Sequence, residues 1–178
     1  MSEIKWNMIL GNFDISKLAV AQSLTFLLNS EDIRDAIVAG KIVECTYEDA
    51  TWGINWLIHS EIFCGGIHLG LKYPTLENNV RVLFIYKPVE KFRRNFKPRK
   101  VTMNEKNDDL KEKRVKYTME HGGKIYIVEN VPAKVNEETG EQYFLPKTMD
   151  KIQKIILKQQ NPYSVVETPV YYFDENDS

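Results

Sequence analysis

Cysteine is nearly missing from this chain: Cys45 and Cys64 are its only two among 178 residues. That count leaves no disulfide-stapled scaffold, and no Cys-x-x-Cys pair is present to hold zinc. Two buried thiols in a reducing cytosol fit better than one disulfide. Histidine is scarce too, at three residues, and His59 and His121 have no metal-like partner two or four positions on. No run of about 18 apolar residues occurs, which excludes a hydrophobic membrane-spanning helix. The opening "MSEIKWNMIL" lacks a basic start, an apolar stretch and a small-residue cleavage site, so no signal peptide is expected. Neither "GNFDIS" nor "CGGIHLG" runs into Gly-Lys-Ser/Thr, and there is no Gly-x-Ser-x-Gly elbow. The expectation is a cytoplasmic protein without cofactor or metal.

What is present is an ordinary soluble composition, 43% hydrophobic and 28% charged, enough for one medium domain or two small ones. The net charge of -1 hides an asymmetry. Residues 1–100 carry 13 basic and 11 acidic side chains, residues 101–178 carry 11 and 14. Much of the positive charge falls in "KPVEKFRRNFKPRK", which includes Arg93, Arg94, Lys97, Arg99 and Lys100. Such a block meets RNA phosphates, meets the acidic second half, or stands as a solvated face.

Residues 14–29, "DISKLAVAQSLTFLLN", have helical apolar spacing with Asp14 as N-cap. "SEDIRDAIVAGK" reads as a second helix, capped by Ser30 and ended by a left-handed Gly40. The segments "IVECTY", "INWLIHS", "GIHLGLKY" and "VRVLFIY" then switch to strand character, with turns between them. The fold class expected is α+β: two N-terminal helices on a four-stranded antiparallel sheet. A small β-hairpin and helix without zinc should follow as a second unit. The boundaries are 1–96 for the first domain, 97–110 for a linker and 111–178 for the second. In that unit "KEKRVKYTME" and "KIYIVENV" form a hairpin across "HGG", and Pro132 closes its second strand. "PKTMDKIQKIILKQQ" starts a helix at its proline and places Met149, Ile152, Ile155 and Ile156 on one face.

The second unit, "VKYTMEHGGKIYIVENVPAKVNEETGEQYFLPKTMDKI" with the tail "ETPVYYF", resembles a YgiT-type zinc-finger antitoxin over about residues 103–173. Strand spacing, the "VPA" corner, the "GEQYF" exit and the tail occur in the family's order. The resemblance implies a protein-binding module whose contacts include Ile152, Ile155, Ile156, Val170 and Tyr171. The family's two zinc-binding Cys-x-x-Cys pairs would fall at Asn104 and Asn107 and at Asn136 and Thr139. Amides and a hydroxyl are poor zinc ligands, so this unit needs other support, and the rest of the chain is the obvious source.

The first unit, through "EDIRDAIVAGKIVE", "GGIHLGLKY" and "VRVLFIYKPVEKFRRNFKPRK", resembles a family of proposed RNase toxins (Domain of Unknown Function 4258, RelE-like in outline). The likeness covers about residues 12–100. Members are often encoded directly upstream of YgiT-type antitoxins, so the chain resembles the two partners joined in one polypeptide. Ribonucleases of this kind need a base, an acid and cations. The family's helix His-Ala is replaced here by Leu18-Ala19, and no arginine lies between residues 14 and 33. His68 and Tyr86 remain as the catalytic candidates, although a packed strand residue is the commoner role for each type. Cys64 is no partner for His68, since residues four apart on a strand sit roughly 13 Å apart.

The function expected is a toxin–antitoxin-type protein acting mainly by protein binding, in cis or in trans, with RNA as a further partner class. A homodimer is compatible with the pattern. Two other readings stay open. One is a metal-independent endoribonuclease restrained by its own second half. The other is an inhibitor of another host or phage defence system built on this scaffold.

Overall fold

The computed structural model describes residues 1–47, 54–63, 65–88, 110–158 and 161–169. The chain runs α1 (Ser2–Ile9), β1 (Phe13–Ser16), α2 (Lys17–Phe26), α3 (Ser30–Ala39), β2 (Lys41–Tyr47), β3 (Ile54–Ile62), β4 (Gly65–Tyr73) and β5 (Val80–Tyr86). It continues with β6 (Leu110–His121), β7 (Lys124–Asn136), β8 (Gln142–Phe144) and α4 (Pro146–Leu157).

All eight strands join one sheet in the order β2-β3-β4-β5-β1-β8-β7-β6. The pairing of β1 with β5 is parallel and the other pairings are antiparallel. The expected four-stranded antiparallel sheet with two N-terminal helices is therefore corrected, among the described residues, to an eight-stranded mixed sheet with four helices. The hairpin and helix expected as a separate small unit extend that same sheet. The two antiparallel meanders are welded by β1 and β8, of four and three residues. Strands that short carry too little periodicity to stand out in a sequence.

Local capping explains where the helices begin. Residues 13–16 do not open a helix, because Ser16 rather than Asp14 is the N-cap: its hydroxyl accepts the Ala19 N–H at 3.0 Å. Phe13 and Ile15 are then free to alternate with Asp14 and Ser16 as a strand. Ser30 is likewise not the cap of α3. Asn29 and Asp32 form a reciprocal capping box, each side chain accepting the other's backbone N–H at 2.9 Å. Gly40 is extended, at φ -67°, not left-handed. Glycine suits it because a Cβ there would stand 2.4 Å from Ile58 Cγ2.

The β6–β7 hairpin turns on Gly122 and Gly123, both at positive φ, which a two-residue hairpin loop of this kind requires. Pro132 does not close the second strand: β7 passes through it to Asn136. On the other side β8 pairs only with Lys134 and Val135. Proline's missing N–H therefore breaks no bond to β8.

The helices cover one face of the sheet. Ile4 and Met8 of α1, Val20 and Leu24 of α2, Ile33 and Ile37 of α3, and Met149, Ile152 and Ile156 of α4 share one buried cluster. The strands add Ile15, Ile58, Leu69, Val82, Val131, Ala133 and Phe144 to it. Both halves of the chain thus contribute to a single core. Alternation sends the intervening side chains to the opposite face, where the polar residues gather.

Candidate functional site

On β4 Gly66, His68, Gly70 and Lys72 alternate with Ile67, Leu69, Leu71 and Tyr73. His68 lies opposite His59 of β3 on one side and Tyr86 of β5 on the other. Directly paired residues project to the same face, so His59, His68 and Tyr86 form a row across three strands. The two imidazole centroids are 5.2 Å apart, edge to face. His68 Nδ1 lies 3.0 Å from the Tyr86 hydroxyl.

Two glycines make room for this row. A Cβ on Gly66 would stand 2.8 Å from His59 Cε1, and one on Gly70 would stand 2.2 Å from Phe84 Cζ. The His59 and Phe84 rings therefore lie over bare backbone on either side of His68.

Burial pushes the Tyr86 pKa up, and the Glu44 carboxylate adds to that, so the phenol stays protonated at neutral pH. It can donate to a neutral His68 Nδ1 or accept from a protonated one. His59 does have a partner two positions on: its Nε2 lies 3.1 Å from Glu61 Oε1. A carboxylate only accepts, so His59 carries a proton on Nε2. Among the described residues no group of three or more His, Cys, Asp or Glu is placed to hold a metal.

Further along the same face a charged network crosses between the halves of the chain. Asp14 of β1, 1% exposed, accepts from Asn79 Nδ2 at 2.6 Å and from Lys134 Nζ of β7 at 3.0 Å. Lys134 also pairs with Glu77. Burial alone would lower the Lys134 pKa, but Glu77 and Asp14 outweigh it and leave it above its ordinary value. Arg81 of β5 sits over the Tyr143 ring of β8, 4.9 Å from its centroid.

The helix side carries a second set of bonds across the same join. Gln153 of α4 donates to Ser23 Oγ at 2.9 Å and to the Leu28 carbonyl at 2.7 Å, all buried. Asp150 accepts from the Ser30 N–H at 2.8 Å and the Ser30 hydroxyl at 2.6 Å. Its carboxylate thus lies at the N-terminus of α3, where negative charge is favoured.

Of the contact residues expected on α4, Ile152 and Ile156 are buried and Ile155 is half-buried. Val170 and Tyr171 lie outside the described residues, as do Arg93, Arg94, Lys97, Arg99 and Lys100, and Asn104 and Asn107. Leu18 is exposed and Ala19 buried. Asn136 and Thr139 form a closed turn. Asn136 Oδ1 accepts from the N–H groups of Glu138 and Thr139, each at 3.0 Å. Its carbonyl accepts from Gly140 and its N–H donates to the Glu141 carbonyl. Thr139 Oγ1 accepts from the Glu141 N–H at 3.3 Å. Glu137 in this turn is pinned by Lys111 and Lys113 of β6, whose bonds take its pKa from 4.5 to about 2. The donors at positions 136 and 139 do not fit zinc: they are neutral, and they are turned into the loop they close.

Sequence reasoning missed Glu61, Asp14, Lys134, Gln153 and Asp150. Glu61 could have been found from its i+2 spacing to His59 on a strand. The Asp14–Lys134 pair spans 120 residues, and no local pattern announces it. Comparison of the chain with protein-family models, curated proteins and solved structures finds no match.

Proposed function

We propose that this is a cytoplasmic toxin–antitoxin-type protein in one chain, whose second segment neutralises the first in cis and which acts mainly by protein binding. The observation that carries this reading is the seat of β8. It pairs with β1 of the first segment and β7 of the second, while α4 lays Ile152 and Ile156 into the shared core. Strand addition with a covering helix is a common way for one polypeptide to occupy another. The order of the segments, toxin-like then antitoxin-like, and their likeness to neighbouring toxin and antitoxin genes support it further. The turn bonded through Asn136 supplies closure that zinc supplies in zinc-bound hairpins.

A second reading is favoured by the His59–His68–Tyr86 row: a metal-independent endoribonuclease restrained by docking. His68 would then exchange the proton of a ribose 2′-hydroxyl or a leaving oxygen, with Tyr86 holding its ring. Acid–base help of this kind is worth about 10²–10⁴-fold.

Growth on expression tests both. The intact chain should be tolerated. A chain carrying Phe144→Asp and Ile152→Asp, checked by circular dichroism for retained strands, should arrest growth if docking neutralises. Arrest that persists with His68→Ala assigns binding; arrest lost with His68→Ala assigns the ribonuclease. An undocked, folded chain without effect on growth would contradict neutralisation in cis.

A further inference from the structure

Helix α4 carries two opposite stripes. Met149, Ile152 and Ile156 face the core. On the other side Lys147, Lys151, Lys154 and Lys158 recur four, three and four residues apart. At 3.6 residues per turn these positions fall within about 60° of arc, directly opposite the buried ones. They span roughly 16 Å of the helix axis, and all four are exposed.

No carboxylate answers this stripe. Among the described residues none of the four lysines forms an ion pair. The acids of α3 and α4 are engaged elsewhere. Asp150 is bonded to Ser30 and Asp32 to the Asn29 N–H, while Arg34 takes Asp35 at 2.9 Å and Glu31 at 4.0 Å. Lysines on the sheet behave differently. Lys111 and Lys113 share Glu137, Lys116 holds Glu129, and Lys134 lies between Asp14 and Glu77. Nor does the stripe serve the helix itself, since like charges three and four residues apart weaken it. Lys147 stands in the first turn, where the macrodipole disfavours a cation, and that turn has no acid. A local rule broken without a structural gain points to a surface kept for binding.

We propose that this stripe binds the phosphate backbone of a nucleic-acid duplex. Phosphates follow one another about every 3.4 Å along each strand, so the stripe faces roughly five of them. Helix α4 has no aromatic residue, which leaves no platform on it for unstacked bases. The lysine face also lacks the apolar anchor on which protein interfaces rest. An anionic membrane asks for an apolar face to insert, and that of α4 is already in the core. The contact is made by charge alone and is independent of base sequence. It does not depend on the function proposed above. DNA and RNA duplexes present the same chemistry to it.

Fluorescence anisotropy of a short labelled DNA duplex, titrated with the full chain over a potassium chloride series, tests the site. An RNA duplex of the same sequence separates the two sources, and the tighter of the two names the ligand. Lys151→Gln alone should lower the slope of log affinity against log salt by about 0.9. Glutamine at all four positions should lower it by about 3.6. Every variant keeps Arg93, Arg94, Lys97, Arg99 and Lys100, so the change reports on α4. A control with Lys111, Lys113, Lys116 and Lys124 changed to glutamine has the same net charge and should keep the slope. The thermal midpoint of the four-lysine variant should not fall, because repulsion along the helix is removed. Four results would overturn the proposal: no binding of the unaltered chain to either duplex at low salt, an unchanged slope in the four-lysine variant, an equal fall in the control, or tighter binding to phosphatidylserine vesicles than to either duplex.

Discussion

The two faces of the central sheet use the same strands for different ends. On the helix-covered face the join between the halves of the chain is made of Phe144, Ile152, Ile156 and Ile15, with two polar anchors, the buried Gln153 and the half-buried Asp150. On the opposite face the same join is made of charges: Asp14, Lys134 and Glu77, with Arg81 over Tyr143. Apolar burial is strong and non-directional. A partly buried charge network contributes less net stability, and a shifted register leaves the buried Asp14 without Lys134. The first face therefore supplies affinity between the halves, and the second sets how they align.

Substitutions on each face should separate these contributions. The largest expected loss is on the helix side: Phe144→Ala removes a fully buried ring at the β1–β8 contact and should cost about 4 kcal/mol in denaturant unfolding. Among the described residues Lys134→Met leaves the buried Asp14 carboxylate with Asn79 as its side-chain partner, and should cost about 3 kcal/mol. Adding Asp14→Leu to it should recover much of that loss, because two apolar groups replace a broken pair. A double variant no more stable than Lys134→Met would show that the network is more than a pair. Gln153→Leu keeps the size but leaves the Leu28 carbonyl without its donor, for about 2 kcal/mol.

The smallest effect is expected at the exposed edge and depends on pH. The Glu137 pKa is lowered from 4.5 to about 2. Its contribution is therefore fully present above the ordinary carboxylate range and is lost as pH falls from about 4.5 towards 2. Glu137→Gln should flatten the acid limb of a pH–stability curve in that window, lying slightly below the unaltered protein near neutrality and meeting it at the acid end. An unaltered acid limb would show that Lys111 and Lys113 do not hold this carboxylate in solution.

Much of the fold was legible in the residues that show strong periodicity. Strands β2 to β5 fall on the four segments rich in β-branched and aromatic residues, and the Gly122–Gly123 turn and the helix from Pro146 follow from their local chemistry. The topology was not legible, because it depends on Phe13–Ser16 and Gln142–Phe144. Phe13–Ser16 was absorbed into a helical pattern with Asp14 as its cap, whereas the hydroxyl that accepts the Ala19 N–H belongs to Ser16. Pairing of His68 with Tyr86 rests on strand register across β4 and β5, which a single sequence does not specify. Gln153 and Asp150 sat in a helix whose apolar stripe drew attention to Ile155, yet these two polar residues reach α2 and α3 more directly.

Docking in cis is the claim on which the functional reading rests, and a cut chain tests it most directly. A recognition sequence for a site-specific protease, placed between residues 100 and 104 and cleaved after purification, leaves the halves held only by their contacts. The two pieces should co-elute as a one-to-one particle of the uncut mass, and should separate once Phe144→Asp and Ile152→Asp are introduced. Pieces that separate in the otherwise unaltered protein, or that exchange into a two-to-two particle, would contradict it.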